Sequence, residues 1–123
     1  MAKRILVIDD ERDMQVYLST LFRRAGYETE VALNGEEGLS KVATFKPDLI
    51  TLDLLMPRQS GVTAYTELRN SPETKEIPVI VVTGLPQHRE ALKGLPTPNL
   101  VVDKPIDREA LLVQVGELIG EPD

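Results

Sequence analysis

The segment D-L-I-T-L-D-L-L-M-P at 48–57 decides the fold of this chain. Its first half is a short apolar run after Pro47, which is typical of a strand buried on both faces of a parallel sheet. Pro57 cannot donate a hydrogen bond to a neighbouring strand, so the strand ends before it. The acid that closes the run, Asp53, is costly to bury unless another group pairs with it. We therefore expect Asp53 at the carboxyl end of a central strand, where open α/β sheets bind ligands.

The rest of the chain alternates between apolar runs and segments with helical spacing. Strands are predicted at 5–8, 27–32, 49–52, 78–82 and 100–102. Apolar residues at intervals of three and four predict helices that begin near Glu11, Asn34, Ser60, Pro86 and Asp107. Alternating strands and helices form a parallel sheet with helices on both faces. Polar residues along one face of 27–32 place that strand at an edge of the sheet, and residues 1–123 are predicted to form one domain.

The composition is that of a globular protein, with 41% hydrophobic and 28% charged residues among 123. The net charge of −6 argues against direct binding to nucleic acid. The single histidine, His88, is predicted to be a surface residue and excludes a site with several histidine ligands, while the absence of cysteine excludes thiolate ligands. No apolar run reaches membrane-spanning length and the N-terminus does not resemble a signal peptide, so we expect no membrane partner and a cytoplasmic location.

Polar residues follow four of the five predicted strands. Asp9 and Asp10 follow the first, Asp53 the third, Thr83 the fourth and Lys104 the fifth. The carboxyl ends of parallel strands share one rim, so three carboxylates are predicted to converge near one hydroxyl and one ammonium. Such carboxylates repel one another unless a cation intervenes, and oxygen ligands suit Mg²⁺. With the metal, these groups are those needed to hold a phosphoryl group, and a carboxylate is a candidate nucleophile.

Each of these residues, taken alone, also has a simpler explanation. Asp9 and Asp10 are able to cap the first helix, and Asp53 to cap a neighbouring one. The hydroxyl of Thr83 is able to bond to backbone, and Lys104 to be a solvated loop charge. These explanations would have to hold at four strand ends together, so a convergent site is the favoured interpretation.

The chain resembles, over essentially its whole length, the receiver domains of two-component response regulators, the CheY-like family. The matching motifs are I-L-V-I-D-D-E at 5–11, D-L-I-T-L-D-L-L-M-P-x-x-x-G at 48–61, V-V-T-G at 81–84 and K-P at 104–105. The resemblance implies an α/β fold of the flavodoxin-like type: a (βα)5 doubly wound parallel sheet with strand order 2-1-3-4-5. The edge position predicted for 27–32 agrees with that order.

The resemblance also implies a role for each acid of the cluster. Asp53 matches the phosphoacceptor of the family. Asp9 and Asp10 match the acidic pair that positions Mg²⁺, and the backbone carbonyl of Leu55 would be a further metal ligand beside Asp53.

The hydroxyl and the ammonium have counterparts in the family as well. Thr83 matches the hydroxyl that contacts the phosphoryl group, and Lys104 matches the lysine that contacts its oxygens. The resemblance further implies that the peptide bond between Lys104 and Pro105 is cis, a form that only bonds preceding proline reach cheaply.

Two features depart from the family pattern. Val101 stands where the family commonly has a tyrosine or phenylalanine that acts as a rotameric switch, and the fourth helix is short and followed by the rigid segment 95–98. We therefore expect a phosphorylation response mainly in the segment 84–99. Leu55 and Leu85 flank the path of the hydrolytic water in the family, and neither is able to hydrogen-bond a water, so we expect slow self-dephosphorylation.

The predicted function is a phosphorylation-dependent signalling switch, not an enzyme in the ordinary sense. A sensor histidine kinase or phosphotransfer protein would donate the phosphoryl group; the kinase and the output partner are not predicted by the sequence. A Mg²⁺-dependent aspartyl-phosphate phosphatase is an alternative, but it would need an acid where Leu55 stands. A flavin or nucleotide carrier would need a Gly- or Ser/Thr-rich loop in place of Asp9–Glu11. A phosphorylation-independent interaction module would not need the full set of acidic, threonine and lysine residues.

Overall fold

Five strands alternate with five helices in the part of the chain that this computed structural model describes, residues 2–54, 61–84 and 87–122. The strands are β1 (Arg4–Ile8), β2 (Glu28–Ala32), β3 (Leu49–Leu52), β4 (Val79–Thr83) and β5 (Leu100–Asp103). The helices are α1 (Arg12–Ala25), α2 (Gly35–Phe45), α3 (Gly61–Asn70), α4 (His88–Ala91) and α5 (Arg108–Ile119). The predicted alternation of elements is therefore confirmed.

The strands form one parallel sheet in the order β2-β1-β3-β4-β5. This confirms the predicted order and the edge position of β2. Both β4 and β5 extend one residue further than predicted, because Thr83 pairs in register with Asp103. Thr83 is thus the last residue of β4 and lies at the rim itself.

Two apolar layers cover the sheet, and the period-two alternation of the strands assigns residues to them. One layer joins α2 and α3 to one set of strand residues, among them Leu6, Ile8, Ile50, Leu52 and Val81. The other joins α1 and α5 to the residues in between, among them Ile5, Val7, Leu49, Ile80 and Val82. Every residue of β3 and β4 is buried, which is why these strands read as continuous apolar runs.

Two helices begin at the predicted positions with a side-chain cap. The side chain of Asn34 accepts a hydrogen bond from the Glu37 N–H at 2.8 Å, and Asp107 accepts one from Ala110 at 3.1 Å. Ser60, near which the third helix is predicted to begin, lies outside the described residues, as does the side chain of His88. Glu11 precedes α1 but makes no capping bond with its side chain, which leaves that carboxylate to contact other groups.

A buried hydroxyl interrupts the apolar layer between the sheet and α1 and α5. Thr51 is 1% exposed, and its Oγ1 has no hydrogen-bond partner among the residues that the structure describes. Its neighbours in register are Val7 and Ile80. A buried hydroxyl without a partner carries a desolvation cost that no bond offsets.

We predict that Thr51→Val, which replaces the hydroxyl by a methyl group of similar size, stabilises the fold by about 1 kcal/mol. Thr74→Val is the matched control, because the Thr74 hydroxyl is also buried but donates to the Leu68 carbonyl at 2.5 Å. The control should lose about 1 kcal/mol. Urea unfolding of both variants measures the difference, and a loss of stability in Thr51→Val would contradict the prediction.

Candidate functional site

Backbone pairing of β1 and β3 with neighbouring strands fixes two acids at the rim of the sheet. The Asp53 N–H donates to the Ile8 carbonyl at 3.1 Å, and the Asp9 N–H donates to the Ala32 carbonyl at 3.1 Å. Asp9 and Asp53 are only 1% and 3% exposed. Each acid therefore follows a buried strand directly, as the sequence predicts, and its position is set by the ladder rather than by a free loop.

Three carboxylates converge at this rim. Asp9, Asp10 and Asp53 each offer one oxygen, and these oxygens lie within 4.8 Å of one another. Like charges at this separation repel, and a cluster of oxygen ligands alone matches the preference of a hard cation. The residues present therefore fit Mg²⁺. The predicted fourth ligand, the backbone carbonyl of Leu55, lies outside the described residues.

A single lysine enters the cluster from the end of β5. Lys104 Nζ lies 3.2 Å from Asp53 Oδ2, 3.6 Å from Asp9 Oδ2 and 3.4 Å from Glu11 Oε1. The Lys104 N–H donates to the Thr83 carbonyl at 3.0 Å, which extends the pairing of β4 and β5 and positions the side chain. The Lys104–Pro105 peptide is cis, as the resemblance implies.

Burial and mutual repulsion shift the titration of these groups. Burial, together with the charges of Asp53 and Glu11, raises the pKa of Asp9 to about 6 against the opposing effects of the Glu11 N–H and of Lys104. Burial by itself would lower the pKa of Lys104, but the carboxylates of Asp9, Asp53 and Glu11 outweigh it and the pKa is raised. Lys104 is therefore protonated at neutral pH, and the Asp9 carboxylate is ionised there at a free-energy cost that a bound cation would reduce.

Thr83 completes the rim between Asp53 and Lys104. It is fully buried at the end of β4, and β3 pairs with β4 through Leu52 and Val81 just before the rim. All the predicted site residues that the structure describes are thus at the carboxyl ends of β1, β3, β4 and β5.

Three further residues contact the site, although the sequence analysis assigned none of them a role in it. Glu11 accepts from Lys104, and its own N–H donates to Asp9 Oδ1 at 2.9 Å; the run of three acids at 9–11 was a signal for it. Gln15 is buried, and its Nε2 donates to the Asp9 carbonyl at 2.7 Å. Gly61 begins α3 so close to β3 that a Cβ there would lie 2.1 Å from the Asp53 carbonyl oxygen.

The comparisons with known proteins agree with this geometry. The model of the response regulator receiver domain matches residues 5–116. The chain belongs to this family. Receiver domains act as signalling switches rather than as classical enzymes, and the predicted resemblance is confirmed.

Two relatives of similar identity differ in how much of their length this chain covers. The DNA-binding dual master transcriptional regulator RpaA of Synechocystis sp. is 34% identical over 121 residues, which are 98% of this chain and 50% of RpaA. Protein Rrf1 of Nitratidesulfovibrio vulgaris is 35% identical over 130 residues, which cover 100% of this chain and 91% of Rrf1. The chain thus spans half of one relative and most of the other.

Solved receiver structures share the fold. The chemotaxis protein CheY4 of Vibrio cholerae superimposes with a TM-score of 0.86 at 26% identity, covering 96% of this chain and 99% of CheY4. The response regulator TrrA of Thermotoga maritima, in complex with Mg²⁺-BeF, gives 0.82 at 32% identity, covering 94% of this chain and 98% of TrrA. Mg²⁺ is accordingly the cofactor that the acidic cluster of this receiver domain fits. Among the described residues, no helix has the length and apolar character to cross a bilayer.

We predict that the charge of Asp9 destabilises the receiver domain when no divalent cation is present. The folded chain has a pKa of about 6 at Asp9 against an ordinary value of 3.8, so between these values it binds more protons than the unfolded chain. The contribution of Asp9 to the free energy of unfolding then falls as pH rises through this window. Asp9→Asn should be more stable than wild type at neutral pH, by on the order of 1–3 kcal/mol.

Urea unfolding in excess chelator, from about pH 4 to about pH 8, measures this difference. The advantage of Asp9→Asn should grow with pH and disappear at the acid end. Asp13→Asn, at an exposed acid of α1, is the control and should show no such trend. A constant difference between Asp9→Asn and wild type would refute the prediction.

Proposed function

We propose that this receiver domain is a phosphorylation-dependent switch whose phosphoacceptor is Asp53. One observation carries the proposal: a carboxylate only 3% exposed, with an ammonium at 3.2 Å, stands inside a cluster of three acids that fits Mg²⁺. We further propose that a sensor histidine kinase or a phosphotransfer protein supplies the phosphoryl group, that residues 1–123 act as one receiver domain, and that the protein works in the cytoplasm.

The arrangement suits an in-line phosphoryl transfer. An Asp53 carboxylate oxygen attacks phosphorus and forms a P–O bond, while the P–N bond to the donor imidazole breaks and its electron pair returns to the nitrogen. We propose that Lys104 and the Thr83 hydroxyl contact oxygens of the transferred group, as their counterparts in the family do. Asp9 and Asp10 would hold Mg²⁺ together with Asp53. The bound metal would neutralise negative charge on the phosphoryl oxygens.

The same residues disfavour the alternative functions. An aspartyl-phosphate phosphatase needs a general acid two residues beyond its nucleophile, and Leu55 has no proton to give. A nucleotide carrier would place phosphate against Asp9, Asp10 and Glu11, whose charges repel it. The domain therefore assists its own phosphorylation and slow dephosphorylation and does not turn over an external substrate. Leu55 and Leu85, on which the expected slow hydrolysis rests, lie outside the described residues, so that expectation stays a prediction.

We predict that a small phosphodonor with Mg²⁺ adds one phosphoryl group to the wild-type chain and none to Asp53→Asn. The amide of the variant is a poor nucleophile but keeps the size of the side chain. Intact mass spectrometry measures the product, and excess chelator should abolish it in the wild type.

Asp13→Asn is the matched control, because it removes an exposed acid of the same type and should be phosphorylated normally. Full phosphorylation of Asp53→Asn would overturn the proposed acceptor. Undiminished phosphorylation in chelator would overturn the role of the metal while leaving the acceptor intact.

The phosphodonor protein must bring its phosphohistidine to the rim, so its docking surface has to border Asp53. Helix α1 begins at Arg12, beside the acidic cluster, and it exposes two large apolar side chains, Val16 at 55% and Tyr17 at 37%. Together with Arg24 and Arg108 these residues line a shallow groove between α1 and α5. Exposed apolar residues next to a site are typical of interaction surfaces.

We predict that Val16→Glu slows phosphotransfer from the cognate donor protein by about tenfold or more, because docking would have to desolvate the new charge. Transfer from a small phosphodonor should be unchanged, since that reaction needs no docking. Val113→Glu on α5, at a valine that is 62% exposed, is the control and should leave both rates unchanged. Equal rates for Val16→Glu and wild type with the donor protein would exclude this docking surface.

A further inference from the structure

Helix α3 is in direct contact with the backbone that carries Asp53. The N–H of Gly61 donates to the Leu54 carbonyl at 3.3 Å. A Cβ at Gly61 would lie 2.1 Å from the Asp53 carbonyl oxygen and 2.5 Å from the Leu54 Cα, so only glycine permits this approach. A displacement of residues 53 and 54 is therefore transmitted directly to the first turn of α3.

The next turn of α3 holds the segment that precedes β5. Tyr65 is fully buried, and its hydroxyl donates to the Pro96 carbonyl at 2.5 Å. Pro96 lies in the connection between α4 and β5, a segment of residues 92–99 that we call the α4–β5 segment. The tyrosine lies about one helical turn from Gly61, or roughly 6 Å along the axis.

A second contact fixes the far end of the same segment. The guanidinium of Arg69 stacks over the Tyr65 ring at 5.2 Å, and its Nη2 donates to Asn99 Oδ1 at 3.1 Å. Asn99 Oδ1 also accepts from the Val79 N–H at 3.0 Å, at the start of β4. Arg69 Nη1 donates to the Ile77 carbonyl at 2.9 Å. Helix α3 is thus hydrogen-bonded to the α4–β5 segment at two points, Pro96 and Asn99.

The side chain at position 101 does not provide such a connection. Val101 packs in the same apolar layer as Leu92 and Leu95, and it has no polar atom with which to hold a backbone group. The side-chain hydrogen bonds described above for the α4–β5 segment come from Tyr65 and Arg69 of α3 instead.

We propose that Tyr65 and Arg69 are positioning residues that couple the state of Asp53 to the conformation of the α4–β5 segment. This inference rests on the proposed phosphorylation of Asp53. When the phosphoryl group shifts the backbone at 53 and 54, α3 moves as a rigid body from its Gly61 contact. The hydroxyl of Tyr65 and the guanidinium of Arg69 then carry that movement to Pro96 and Asn99.

The test compares amide chemical shifts of the full chain with and without Mg²⁺ and beryllofluoride, a mimic of the phosphoryl group. In wild type we expect changes both at the rim and in residues 92–99. In Tyr65→Phe the rim should respond as in wild type, while the changes in 92–99 should be more than halved. Arg69→Lys keeps the charge but loses the planar fork of donors, and it should show the same selective loss at Asn99.

The control is Tyr27→Phe, since the Tyr27 hydroxyl donates to the Gly120 carbonyl at 3.1 Å in the opposite layer. It should respond as wild type throughout. No response at the rim of wild type would overturn the proposed function itself. A normal rim response with an unchanged response of 92–99 in both Tyr65→Phe and Arg69→Lys would overturn the coupling alone, as would a wild type whose 92–99 amides do not respond.

Discussion

The burial of two carboxylates beside one ammonium is the constraint on which this molecule depends. Asp9 and Asp53 are at most 3% exposed, and Lys104 lies within 3.6 Å of both. One positive charge does not balance the acids that surround it, so the rim is electrostatically incomplete without a divalent cation. Burial is the main cause of the raised pKa of Asp9, and the charge of Asp53 adds to it. The clustered carboxylates destabilise the fold when no cation is bound. The same charges favour binding of a metal and, with the metal, of the phosphoryl group that we propose.

The sheet supplies the rigidity that this arrangement requires. Repelling groups stay together only if the backbone beneath them does not yield, and β1, β3 and β4 lie in the middle of a fully paired parallel sheet. Apolar layers on both faces hold the strands in register. The packing of the whole core thus offsets the cost of burying these acids. This explains why such a site is found at the centre of the sheet rather than on β2 at its edge.

The two apolar layers of the sheet differ in the contacts that they make near the site. The α2–α3 layer contains the close approach of Gly61 to Asp53 and the polar contacts of Tyr65 and Arg69. The α1–α5 layer contains the exposed Val16 and Tyr17 beside the start of α1. In the function that we propose, the phosphodonor approaches on the α1 side and the response leaves on the α3 side. The family commonly has an aromatic switch where this chain has Val101, and our proposal assigns the connection to the α4–β5 segment to α3 instead.

By itself the sequence determined the features that depend on local chemistry and on periodicity. The apolar runs defined the strands, the Asn34 side chain defined the start of α2, and the polar face of 27–32 defined the edge strand. Acids, hydroxyl and lysine at strand ends were sufficient to predict one shared rim, because parallel strands end on the same side of a sheet. The family resemblance, which assigned the roles, was confirmed by the match to residues 5–116.

Only the tertiary structure decided the contacts between residues that are far apart in the chain. Glu11 and Lys104 are separated by 93 positions, and Tyr65 and Pro96 by 31, so no local pattern reveals either contact. The burial that raises the pKa of Asp9 likewise depends on the atoms of several strands at once. Local sequence specifies backbone conformation and the face on which a side chain lies. Distances, burial and charge balance are set by packing between elements, and they exist only when the whole sheet is assembled.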